Sequence, residues 1–563
     1  MNLAMRVLCL FVLLISQTLG WAETAPSGIA PKKWPFRILG LTPVQSGGRI
    51  KPLDSFAGEV VLYETGSRRY KNWDPVDLIV SWIAVPQYWE SQPVIRVGRE
   101  DVRRQLGLEE KRVYYSPGEL IGNPILAQYA QRLGHAGMGS QVTAPSNTSS
   151  GVPRSSPRDQ ELKTVLDRLG LFQGLVSGQG WLVIPKPAPA AWSSLIDGDP
   201  QGLSIRSQFV ELLKSYQADD AERFGQASVS LRSAIEAQIP HYSESYKNRV
   251  KAESFYNHLR PFCIAWVSYL LAGLLWLWVL ISPGNARLAL RKLKQAAFGL
   301  TGIGISSHLV GMGLRCFVSG RPPVTNMYES VIWVSFGVIA FASILYYMHR
   351  QEVIFAVACT LATLGLIAGD SAPMILDPSI HPLMPVLRSN YWLTVHVLTI
   401  TLGYAAFALT LGLSNMTLFH FLRNPSAKKT NLLNQLTYRA MQFGVVLIAA
   451  GTILGGIWAD YSWGRFWGWD PKEVWALITL LCYLVILHGR FTSWIGQFGF
   501  AVWSTLSFMS VVMAWYGVNF ILGVGLHSYG FATGGTPWVI GFVLLQLTYV
   551  LGVCWVHTRR RGG

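Results

Sequence analysis

From about Phe262 to the C-terminus the chain alternates long apolar runs with short polar stretches, unlike the mixed pattern before it. A helix needs about 20 apolar residues to cross the hydrocarbon core of a bilayer. Nine segments qualify, approximately at 262–282, 296–318, 328–347, 353–369, 391–420, 442–459, 471–489, 497–520 and 537–557. The pattern predicts an all-α polytopic membrane protein, preceded by an exported, mainly helical mixed domain. If residues 23–260 are outside, the inner stretches are 283–295, 348–352, 421–441, 490–496 and the C-terminus. They hold Arg287, Arg291, Lys292 and Lys294, then Arg350, then Arg423, Lys428, Lys429 and Arg439, then Arg490, and finally Arg559 to Arg561. Every inner stretch is basic, as the positive-inside rule requires. The outer ones carry only scattered cations (Arg321, Arg388, Arg465, Lys472).

The domain ahead of these segments carries weaker signals. Residues 134–158 are rich in Gly, Ser, Pro and Thr and read as a flexible insertion. Residues 204–217 and 219–258 have helical periodicity, the latter with a break expected at Pro240. Val94–Val97 and Trp181–Ile184 read as short strands, and no catalytic pattern emerges. Residues 1–22 combine Arg6, an apolar run from Val7 to Ile15 and the small-x-small site Gly20-Trp21-Ala22. This reads as a secretory signal peptide or an uncleaved anchor, and in either case the domain after it is exported.

Composition sharpens the picture. Half of the 563 residues are hydrophobic and 14% are charged, too apolar for an ordinary soluble protein. The net charge of +16 does not point to nucleic acid, because much of the basic excess in the second half lies in short loops between apolar segments. The lipid bilayer is the partner it implies. Of the six cysteines none falls in residues 23–260, which excludes a disulfide framework and a C-x-x-C motif there. Thiol chemistry outside the membrane would come from a thiol-reducing partner.

The densest chemistry lies in Trp463-Gly464-Arg465-Phe466-Trp467-Gly468-Trp469-Asp470-Pro471-Lys472-Glu473-Val474-Trp475. Interfacial anchoring accounts for one or two tryptophans per helix end, not for this crowd. With glycine spacers, Trp463, Trp467 and Trp469 suggest a flat aromatic surface for a planar ligand. Asp470, Pro471 and Glu473 have the spacing of a capped helix start, so helix capping explains both acids. His396 lies about one and a half turns below the outer end of the fifth segment, and His527 lies in the outer loop after the eighth. Both face the compartment of the Trp-rich run and flank it in sequence. Two neutral imidazoles can hold an iron porphyrin axially; against this, a lone membrane histidine more often bonds helix to helix. His488 ends the seventh segment near the inner face, and His308 sits near the middle of the second. For each, a functional and a structural reading stand about even. In the outer loop Ser319–Ser330, Arg321 has the chemistry to pair with a carboxylate such as a haem propionate, while Asn326 and Glu329 read equally well as caps.

These motifs together resemble the CcsA (ResC) family of system II cytochrome c synthases, a part of the WWD-domain haem-handling superfamily. The resemblance covers most of residues 296–557. It rests on the Ser319–Ser330 loop, on Tyr391-Trp392-Leu393-Thr394-Val395-His396-Val397, on the Trp-rich run, on Leu487-His488-Gly489-Arg490 and on Gly525-Leu526-His527-Ser528-Tyr529-Gly530. It implies haem b as bound substrate, ligated by His396 and His527 beside the Trp-rich loop, with His488 at an inner entry site. It implies a separate CcsB (ResB) membrane subunit, since residues 23–260 lack that subunit's set of transmembrane helices, and apocytochrome c as acceptor. It also implies a bacterial cytoplasmic membrane, with the N-terminal domain and the Trp-rich loop on the outer side. Residues 23–260 look like the exported extension of longer CcsA relatives.

The expectation is therefore a haem-presenting subunit of a cytochrome c haem lyase, delivering haem to the outer face for attachment to C-x-x-C-H segments. Two other classes remain: a haem b electron carrier, which would stack histidine pairs at two depths, and a transporter of another planar or lipidic substrate, which would need no iron ligands.

Overall fold

The computed structural model describes residues 30–132, 156–187, 189–240, 243–282, 287–383, 389–423, 427–522 and 535–562. The chain divides into two compact units, with the boundary between His258 and Leu259.

The N-terminal unit is helical with three two-stranded antiparallel ribbons. Pro43–Ser46 pairs with Arg49–Pro52 through Gly47 and Gly48, whose φ values of 58° and 77° suit the tight turn that twisted hairpins favour. Ile95–Arg96 and Leu182–Ile184 form shorter strands than the apolar runs around them suggested. The helix Leu203–Gln217 agrees with its periodicity, and the next helical stretch breaks around Pro240 into Ala221–Gln238 and Glu244–Leu259. Of the expected insertion at 134–158, residues 134–155 lie outside the described residues. Its last two belong to the helix Pro157–Ser177, which starts there because Ser156 accepts the Asp159 N–H as N-cap and Pro157 takes the first helical position. The expected signal at residues 1–22 also lies outside the described residues.

The core of this unit holds a buried acid. Asp77, on the helix Pro75–Ala84, accepts from Tyr216 Oη at 2.7 Å and from the Lys32 backbone N–H at 2.8 Å. Burial pushes its carboxyl up to about 6, opposed only in part by those hydrogen bonds. The folded state thus holds the proton more tightly than an unfolded chain with the ordinary value of 3.8. The stabilisation, roughly 3 kcal/mol, is complete below that value and is lost as pH rises through about 6. Amide exchange of this helix, corrected for intrinsic rates, is expected to slow between about pH 7 and about pH 5. Asp77→Asn should flatten that slope, leaving the share of Glu64, which burial shifts the same way. An unchanged slope would place the titration elsewhere.

Among the described residues, nine helices are long and apolar enough to cross a membrane, and the protein is an all-α multi-pass membrane protein. In the C-terminal unit they are α1 (Pro261–Ile281), α2 (Arg287–Ser319), α3 (Met327–His349), α4 (Val353–Ser371), α5 (Leu398–Arg423), α6 (Ala427–Trp463), α7 (Pro471–Phe491), α8 (Gln497–Val512) and α9 (Thr536–Gly562). Two expected inner loops are corrected. Most of 283–295 and of 421–441 is helix, because α2 and α6 begin well before their apolar stretches. Lys and Arg are good helix formers, so a helix runs on where hydrophobicity stops. A further departure lies at two helix ends, where Leu393–Val397 before α5 and Met513–Leu522 after α8 are π-helical. Such wide turns are rare and concentrate at functional sites.

Helices α5 and α6 pack antiparallel along a glycine stripe. A Cβ on Gly444 would clash with Phe407 Cε1 and Cδ1, one on Gly451 would lie 2.7 Å from Ile400 Cβ, and one on Gly455 would lie 2.7 Å from His396 Cε1. The spacing of seven and then four residues keeps the glycines on one helix face, and small residues let membrane helices approach closely. The last position of the stripe seats His396.

Candidate functional site

The Trp-rich loop is organised by its acids. Asp470 caps α7 with the paired bonds of a capping box, in agreement with its spacing from Glu473. Glu473 does more: one oxygen accepts from Gly468 N–H at 2.8 Å and Asp470 N–H at 3.1 Å, and the other pairs with Arg465 at 3.3 Å. The two amides flank Trp469, whose φ of 57° is unusual for a bulky side chain. The expected flat surface does not form along the whole run. Trp467 and Trp469 stand at 90° to each other, Trp469 is 71% exposed, and Trp463 packs under the Arg465 guanidinium. With the left-handed backbone at Trp469, its ring meets Trp467 edge to face at 5.9 Å rather than lying coplanar with it.

Trp467 instead faces a cavity of about 160 Å³ with Trp458, Trp515, Tyr404 and His396. Its other walls come from the start of α3, the end of α6, the start of α7 and the π-helical ends next to α5 and α8. By chain direction these all belong to one end of the bundle. His396 lies in the π turn, its Nδ1 2.8 Å from Gly451 O and its ring edge-on to Trp458 at 5.6 Å. A carbonyl can only accept, so Nδ1 carries the hydrogen and Nε2 the lone pair, the tautomer that a metal-binding imidazole needs. Sequence reasoning places Lys472 only among scattered cations and does not single out Trp515 or Asn519. Their signal is spacing: Trp515 and Asn519 are one turn apart, and Lys472 comes two residues after the cap.

Arg321 does not line the cavity. Its guanidinium bonds Thr325 Oγ1, Glu329 and the His381 carbonyl, and Glu329 also receives Arg315 at 2.7 Å. Glu329 accepts in addition from the N–H and hydroxyl of Thr325, while Asn326 caps α3 through the Glu329 N–H. The loop is thus closed on a buried Arg–Glu–Arg cluster. Nearby, His381 Nε2 lies 2.8 Å from Asp377, four residues before it. Burial alone would raise the Asp377 carboxyl, but the His381 and Ser379 hydrogen bonds outweigh it and hold it at about 2.

The other histidines separate. His308 is fully buried, with Nε2 3.2 Å from Ile332 O and rings of Phe262, Tyr269 and Phe336 around it, which is the bonding of a helix-to-helix contact. His488 is exposed at the opposite end of α7 from Lys472, its Nδ1 2.8 Å from Leu484 O. His527 lies outside the described residues, in the stretch between Leu522 and Gly535, beyond the second π-helical segment.

Fold and site define a multi-pass helical membrane protein with an aromatic, imidazole-bearing cavity at one end of its bundle. Residues 324–527 match the family model described as cytochrome C assembly protein, a span that contains His396, the Trp-rich loop and His527. Cytochrome c biogenesis protein CcsA of Guillardia theta is 32% identical over 274 residues, covering 43% of this chain and 89% of that protein. CcsA of Prochlorococcus marinus strain NATL2A is 34% identical over 262 residues, 40% of this chain and 81% of the relative. The chain belongs to this CcsA family of cytochrome c assembly proteins. Protein NrfI of Wolinella succinogenes is 28% identical over 511 residues, 86% of this chain but 53% of its own length, so the chain spans about half of that relative. The match takes in more of the chain than the membrane unit alone holds, so the N-terminal unit shares the likeness.

Proposed function

We propose that this protein works in cytochrome c maturation as the subunit that holds haem at the outer membrane face for attachment to an apocytochrome. The observation that carries the reading is His396: a wide helical turn, a glycine seat and a carbonyl that fixes its tautomer aim one imidazole at an aromatic cavity. Protein positioning of this kind supplies orientation, while the reactivity resides in the haem.

The fit of the substrate is partial, and usefully so. At about 160 Å³ the cavity is smaller than the ~300–1000 Å³ of an enclosed ligand pocket. A macrocycle ligated by His396 would have one edge enclosed and the other outside. An open edge is what attachment requires: each thiol of a C-x-x-C-H segment adds across a vinyl group, forming a C–S bond while the thiol hydrogen goes to the adjacent carbon. His527, as second axial ligand, would be displaced by the histidine of the apocytochrome. Basic inner stretches favour the outward orientation of this end. A CcsB-type subunit and a thiol reductant complete the scheme, and His488 at the inner end of α7 is the entry-site candidate.

The test is the visible spectrum of the detergent-purified protein beside His396→Ala and His527→Ala. Wild type is expected to show a reduced, low-spin haem b signal that weakens in either variant and returns with added imidazole. Haem retained unchanged in both variants would overturn the site and favour an electron carrier. Absence of haem from haem-replete cells with a CcsB subunit co-expressed would favour a transporter.

A further inference from the structure

The cations near the cavity are not equivalent. Arg315 and Arg321 meet at Glu329, and Arg465 meets Glu473. Lys472 stands apart. Its side chain lines the same cavity as His396, and its ammonium donates to Asn519 Oδ1 at 3.2 Å, a neutral acceptor. Asn519 is itself oriented, because its Nδ2 donates to the Trp515 carbonyl at 3.0 Å and so turns its oxygen toward the lysine. The nearby carboxylate of Asp470 is engaged as helix cap with the Lys472 backbone N–H at 3.0 Å. No ion pair of Lys472 occurs among the described residues.

An ammonium has three donors, and this one hydrogen-bonds only a neutral acceptor, with the Asp470 carboxylate acting on it through space while committed to the helix cap, so a further anionic partner in an apolar wall is favourable. Besides the Asn326 amide and the Glu473 carboxylate, whose oxygens are taken by Arg465 and by the Gly468 and Asp470 amides, the rest of that wall is apolar, aromatic or hydroxylic, so it suits an apolar body that carries its own anionic group. We propose that Lys472, held by Asn519, is the carboxylate-recognition point of the cavity and receives a propionate of the ligand whose iron His396 binds. Arg321, the residue with the more obvious chemistry, is already closed onto Glu329. The assignment rests on the reading of the cavity as a haem site and adds which part of the macrocycle is enclosed: a propionate edge lies inward beside Lys472, leaving another edge outward.

The probe is haem b against its dimethyl ester, which keeps the iron, ring and vinyl groups and loses both carboxylates. Each is titrated into the full-length protein in detergent after removal of endogenous haem. Wild type is expected to bind haem b about tenfold or more tightly than the diester, the scale of one charge-assisted hydrogen bond. Lys472→Met should bring the two ligands to equal affinity, and Lys472→Arg should keep part of the preference. Equal affinities in wild type, or an undiminished preference in Lys472→Met, would overturn the assignment. Because wild type alone carries the first comparison, a variant that fails to fold does not remove the test. His396→Ala separates the two readings. If its low-spin signal is lost with both ligands while Lys472→Met keeps the preference, only the carboxylate assignment falls. If His396→Ala binds both ligands with an unaltered spectrum, the haem site itself falls.

Discussion

Glu329→Ala is expected to destabilise the membrane unit by about 3–5 kcal/mol, the usual cost of removing one partner from a buried charge cluster. Glu329 and Arg315 are each 1% exposed and Arg321 is 8% exposed. The single carboxylate accepts from both guanidiniums and from two donors of Thr325. Without it, two arginines stay in a site built for one net negative partner. The loss also loosens the connection of α2 to α3, because Arg315 reaches Pro378 O while Arg321 reaches His381 O, stapling the end of α2 and the α2–α3 loop to the stretch after α4. Thermal unfolding in detergent is the measurement. Glu329→Gln keeps the shape but offers one acceptor oxygen, so it should fall between wild type and alanine. Adding Arg315→Leu to Glu329→Ala should cost less than the sum of the single changes, since one unpaired cation has been removed. A melting curve for Glu329→Ala that overlays wild type would mean the cluster is hydrated rather than buried.

How much of the fold and site is legible in the chain depends on the range of the forces involved. The apolar spans arise from composition over one helix length, so all nine are visible. The α7 cap is visible too, because Asp470, Pro471 and Glu473 act within four residues. Longer-range placements are hidden. Nothing local says that the helix around His396 widens to a π turn; that depends on its register against Gly451 and Gly455, more than fifty residues away. Arg321 looks available in the sequence because its carbonyl partner lies sixty residues on, in a loop with no pattern of its own. Lys472 looks like a stray outer charge because its neighbours Asn519 and Trp515 come from the end of another helix. Helix starts are misplaced wherever basic residues continue a helix beyond its apolar stretch, as at Lys428 and Lys429 in α6.

Gly455→Ala is expected to cost the proposed haem site most of its low-spin signal while leaving the fold intact. A new Cβ would sit 2.7 Å from His396 Cε1 and 3.1 Å from its Nδ1, closer than carbon atoms pack without movement. The imidazole would have to turn, and its Nδ1 bond to Gly451 O, which sets the tautomer, would go with it. The helix itself gains: alanine in a helix interior is favoured over glycine by about 1 kcal/mol, so thermal unfolding should shift little. Gly455→Val should abolish the signal. Gly541→Ala and Gly552→Ala, inside α9 where a Cβ meets open space, are the controls and should leave the signal unchanged, with the same small gain in helix stability. Haem-to-protein ratio and the reduced spectrum give the readout. The separation matters because His396→Ala removes the imidazole outright, whereas Gly455→Ala keeps it and moves it. Loss of signal in both would mean that the orientation of His396, and not merely its presence, makes the site; full signal in Gly455→Ala would remove the glycine seat from the argument.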